Sequence, residues 1–63
     1  MVFKIKPSRN FANSGEIYTA PVAARKLNGY IVVNEEGNNV FVCTDDIDII
    51  SISDSERKMA IEF

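Results

Sequence analysis

Along Val2 to Lys6 apolar and charged side chains alternate as Val-Phe-Lys-Ile-Lys, which puts Phe3 and Ile5 on one face of a strand and both lysines on the other. Pro7 stops that strand, because proline has no N–H to give a sheet ladder. Ser8 to Gly15 reads as a loop with Phe11 tucked beneath it. Glu16 to Ala24 predicts a second strand, rich in Ile17, Tyr18, Thr19 and Val22, in which Pro21 demands an edge position or a bulge. Asn28-Gly29 predicts a type I′ hairpin turn, since both residue types accept positive φ. A third strand, Tyr30 to Asn34, follows directly. Glu35-Glu36-Gly37 reads as a three-residue hairpin loop with Gly37 in the left-handed position. That loop pairs Asn34 with Asn38, Val32 with Val40, Ile31 with Phe41 and Tyr30 with Val42.

Thr44-Asp45-Asp46 predicts a short turn of 3₁₀ type, with Thr44 as its cap. Ile47 to Ser53 is the fifth strand, and its apolar phase slips between Ile49 and Ile50, which calls for burial on both faces or a bulge. Residues 51–63 leave two readings open. Asp54 suits the cap of a short helix over Ser55 to Phe63, whereas Met59, Ile61 and Phe63 alternate like a strand after a turn at Asp54 to Arg57. The alternation favours the strand. The expected fold is therefore all-β: a single domain over residues 1–63, with five or six short antiparallel strands in a small barrel or sandwich.

The order of segments resembles small SH3-like barrel proteins of bacteria and phages. The residues that carry the resemblance are Gly15, Tyr18, Asn34, Gly37, Ile47 and Ile49, within "FKIK", "GEIYTA", "GYIVVNEEGNNVFV" and "TDDIDII". It spans roughly residues 2–50. The chain departs from it at Cys43, where such barrels often hold proline, and in its extra segment Ser51 to Phe63. The resemblance implies an SH3-like barrel and no catalytic residues.

Composition narrows the possible chemistry. A chain of 63 residues buries only about 60% of the surface it exposes when unfolded. Such chains often need a disulfide, a metal or a partner. Cys43 is the one cysteine and there is no histidine, which excludes an intramolecular bridge and argues against a zinc site. No cofactor is expected. The longest apolar runs, Tyr30 to Val33 and Val40 to Cys43, have four residues, against about 20 for a membrane-spanning helix. With no signal-peptide pattern in the first residues and one unpaired thiol, the chain is expected in a bacterial or host-cell cytoplasm.

Catalysis finds no support. Cys43 and the serines lack a histidine base, and Gly15, Gly29 and Gly37 are too dispersed for a phosphate loop. Asp45, Asp46 and Asp48 hold too few oxygens, with no glycine between them, for a calcium loop. Charge, however, is uneven. Residues 1–30 carry Lys4, Lys6, Arg9, Arg25 and Lys26 against Glu16, and residues 31–63 carry Arg57 and Lys58 against eight acids.

The Tyr30–Cys43 hairpin is apolar on both faces, with Tyr30, Val32, Val40 and Val42 on one and Ile31, Val33, Phe41 and Cys43 on the other. An antiparallel pair with one wet face should alternate. The tail, through Met59, Ile61 and Phe63, the loop carrying Phe11, or another chain must cover the second face. The expected function is thus a non-enzymatic protein-interaction module, of the kind a phage could use to bind and modulate a host protein. Its candidate partner residues are Tyr30, Val32, Val40, Val42, Arg25 and Lys26. The first alternative is a single-strand nucleic-acid binder using Lys4, Lys6, Arg9, Arg25 and Lys26, though an isoelectric point near 4.9 opposes it. The second is a subunit of a homo-oligomer.

Overall fold

The computed structural model describes residues 1–7 and 15–62. It is all-β apart from one turn each of 3₁₀ and α-helix. Its strands are β1 (Val2–Ile5), β2 (Ile17–Thr19), β3 (Val22–Lys26), β4 (Gly29–Val33), β5 (Asn39–Cys43), β6 (Ile47–Ser51) and β7 (Ile61–Glu62), with helix α1 (Asp54–Arg57) before the last. They form two sheets, β2-β1-β6 and β5-β4-β3-β7. The ladders among the described residues join no strand of one sheet to the other, so they do not close a barrel.

Pro21 explains the division. The segment expected as one strand is two, because Ala20-Pro21 breaks the ladder and carries the chain from the first sheet to the second. Ala20 N–H still donates to Met1 O, and Val33 N–H donates to Pro21 O, each at 3.0 Å. Both sheets are thus pinned at the crossing. Their inner faces share one core of Met1, Phe3, Ile5, Ala20, Val22, Tyr30, Val32 and Ile47. Tyr18, Val42, Ile52 and Met59 pack against it.

The Glu35–Gly37 hairpin has the expected register, from Tyr30↔Val42 through Val32↔Val40. Gly37 takes φ +83°. Asn34 sets the loop, its Oδ1 accepting from the N–H groups of Glu36 at 3.0 Å and Asn38 at 2.9 Å. The earlier hairpin differs from expectation. Lys26 pairs with Gly29, so Leu27-Asn28 form the turn and Gly29 already belongs to β4. Gly29 has no positive φ. It is required for closeness instead: a Cβ there would collide with the Val42 carbonyl and stand 2.6 Å from the Phe41 ring.

Two further details depart from the sequence reading, and a third settles an alternative it left open. Thr44 does not cap the Thr44–Asp46 turn; its hydroxyl donates to Asn28 O at 3.1 Å. The phase slip in β6 is a bulge, with Val2 opposite Ser51 and Phe3 opposite Ile49, and it leaves Ile50 exposed rather than doubly buried. The tail is both helix and strand. Ser53, not Asp54, caps α1 through a reciprocal capping box with Glu56. β7 then pairs parallel to β3, Arg25 opposite Ile61, so the sheet is not purely antiparallel. Arg9, Phe11 and Phe63 lie outside the described residues.

Candidate interaction surface

Of the residues named from the sequence as a partner surface, Tyr30 and Val32 fall inside the molecule. Tyr30 is 9% exposed and Val32 3%, both in the core, while Val42 is half-buried against it. Only Val40 of that row is exposed. Apolar residues on both faces hid which side was inward. Pairing with Val22 and Arg25 of β3, and β3's place beside the crossing, turns the Tyr30–Val32 row toward the first sheet. The opposite row faces solvent.

That outward row is continuous across three strands. Ala24 of β3 lies opposite Ile31 of β4, which lies opposite Phe41 of β5. One step along, Lys26, Gly29 and Cys43 align, and at the far end Val33 sits beside Asn39. Phe41 is 48% exposed, and its ring lies over Gly29, where no side chain keeps it away. Leu27, in the adjoining turn, is also exposed. Among the described residues no element packs broadly across this face: β7 extends the sheet at its edge, and Met59 turns inward to the core. The outward face of the other sheet is different, with Lys4 between Ile17 and Asp48 and Val2 between Thr19 and Ser51. It mixes charged and apolar side chains, with Ile17 and Ile50 exposed beside Lys4 and Asp48.

Among the described residues the basic side chains do not gather. Lys4 lies on the outer face of the first sheet, opposite Asp48. Arg25 is tied to the end of α1, its Nη1 donating to Arg57 O at 3.0 Å and Met59 O at 3.4 Å. Lys26 pairs with Glu62 at 3.3 Å on the second sheet. Acids are placed more coherently, Glu35 and Glu36 before β5 and Asp45 and Asp46 after it. Among the described residues no three acidic, cysteine or histidine side chains form a cluster able to hold a metal. Cys43 is half-buried and free.

Glu56 forms a second polar centre, and it is structural. Its carboxylate accepts from the Met1 amino group at 3.2 Å, Val22 N–H at 2.8 Å and Ser53 N–H at 3.3 Å. Burial pushes its pKa up, but the hydrogen bonds from Val22, Met1 and Ser53 together bring it below the ordinary value. A cavity of about 390 Å³ opens between the sheets at the opposite end. Its walls are core residues such as Phe3, Tyr18 and Val42, and Glu35 and Glu36 line its rim.

Among the described residues no helix is long and apolar enough to cross a membrane. No known protein family, curated protein or solved structure matches the chain.

Proposed function

We propose that this protein is a non-enzymatic interaction module that engages another protein through the outward face of β3, β4 and β5. One observation carries the reading: Ile31, Val33, Phe41, Ala24 and Cys43 form a continuous apolar row on the solvent side, with Phe41 half-exposed on its edge strand. Apolar surface gathered in one place marks an interaction site far more often than scattered apolar residues do. Exposed aromatic rings are common binding anchors. The resemblance to small SH3-like barrels supports the same use, since that scaffold is a carrier of binding surfaces, and the proposed frame is a partly open barrel of that type.

The test is affinity capture of the tagged protein from bacterial lysate, with and without nuclease, beside a Phe41→Thr variant. Threonine keeps strand propensity and removes the ring. A protein retained after nuclease by the parent chain and lost by the variant supports the proposal. Capture that disappears with nuclease, or that Phe41→Thr leaves intact, sinks it.

A further inference from the structure

We propose that the partner binds by strand addition: an extended protein segment with basic ends pairs with the free edge of β5. The inference rests on the interaction-module reading and specifies how the face is used. It starts from the ladder. Asn34 N–H donates to Asn38 O at 2.9 Å and Thr44 N–H donates to Asn28 O at 3.0 Å. In an antiparallel pair, hydrogen-bonded and non-hydrogen-bonded residues alternate. Between those two bonds, Val40 and Val42 therefore spend their backbone groups on β4. Asn39 and Phe41 turn N–H and C=O outward, and Cys43 turns its N–H outward while its carbonyl closes the 3₁₀ turn. β5 is the last strand of its sheet, so among the described residues these groups have no ladder partner.

The other edges are guarded. β2 has three residues and stops before Pro21, β6 is bulged at Ile50 and carries Asp48, and β7 has two residues with Glu62 paired to Lys26. These are the ordinary protections of an edge. β5, Asn-Val-Phe-Val-Cys, has five residues, no charge, no proline and no bulge. It is a template for one more strand, which would also continue the apolar face beyond Phe41.

Charge decides the occupant. A second copy would place β5 against β5, and antiparallel pairing centred on Phe41 brings the Glu35–Glu36 tip of each copy against the Asp45–Asp46 turn of the other. Like charges so placed oppose the pairing. The same acids at both ends of the edge favour a segment with lysine or arginine flanking an apolar, β-prone centre.

A suitable probe is a short peptide of alternating threonine and valine with two lysines at each end, beside the same peptide with glutamate ends. Amide exchange in the labelled protein should slow at Asn39, Phe41 and Cys43 on adding the lysine peptide. Affinity should exceed that of the glutamate peptide by about tenfold or more at low salt, and the gap should narrow as salt rises. The decisive variant is Cys43→Pro. Cys43 has φ −79°, within proline's range, and gives β4 no hydrogen bond, so the substitution removes an outward donor from a folded chain. It should abolish peptide protection. Unchanged exchange at the three amides, equal binding of both peptides, or undiminished binding by Cys43→Pro overturns the inference. Failure of the parent reading looks different. A natural partner lost with Phe41→Thr but kept by Cys43→Pro leaves the face in use and only the edge refuted, whereas a partner kept by both refutes the face as well.

Discussion

Gly29 and Glu56 each hold this fold through contacts with residues distant along the chain. Asn28-Gly29 points to a turn, and a turn is there, but glycine serves a different need. The Phe41 ring and the Val42 carbonyl approach too closely for any Cβ, a constraint that belongs to the neighbouring strand and has no local signature. Gly29→Ala should therefore destabilise the protein by about 1–3 kcal/mol in a urea titration, the usual scale of overpacking. A neutral result would mean that β5 can move away. The signature of Glu56 stands in the sequence as Ser53-x-x-Glu56, a capping box, whereas the sequence reading took Asp54 for the cap. Its links to Met1 and Val22 are long-range and could not be read. Glu56→Gln should lower stability by about 1–3 kcal/mol near neutral pH, because charged hydrogen bonds are lost. The pH dependence has a definite sign. The folded carboxyl titrates below its ordinary value of 4.5, so its contribution is complete above the unfolded value and is lost as pH falls through the folded one. Denaturation midpoints of parent and Glu56→Gln should converge below about pH 4.5, and a constant gap would exclude this linkage.

At the scale of elements, the β4–β5 hairpin was the most legible part. A loop with glycine in the left-handed position fixes register, and register fixes which residues share a face. The facing itself was not legible, because both rows are apolar and inward direction depends on where the other sheet lies. For the same reason Glu16 to Ala24 read as one strand: proline announces an interruption but not a change of sheet. The ladder makes its own forecast for the free protein. Backbone amides of Val40 and Val42 should exchange with solvent at least about tenfold more slowly than those of Asn39 and Phe41, as hydrogen-bonded and edge-facing groups differ. Equal protection along β5 would mean that something already covers the edge.

On the scale of the whole molecule, two sheets share a small core, α1 is tied to Met1 and Val22 through Glu56, and one outer face stays apolar. A self-assembling subunit would melt at temperatures that rise with protein concentration. The opposition of Glu35 and Glu36 to Asp45 and Asp46 across paired edges predicts no such rise in dilute buffer. The uneven charge of the chain was visible from its sequence, but its placement was not. Folding places Lys4 on one sheet and Arg25 and Lys26 on the other, engages the latter two, and leaves acids at both ends of β5. The central claim, that the outward face of β3 to β5 is the binding surface, is tested most directly by calorimetric titration of the captured partner. The titration would compare Phe41→Thr with Lys4→Glu/Lys6→Glu, on the two different sheets. The account predicts that Phe41→Thr weakens binding by about tenfold or more, the loss of one anchor residue, and that the lysine variant stays within about threefold of the parent. The reverse order would place binding on the outer face of the first sheet and contradict it.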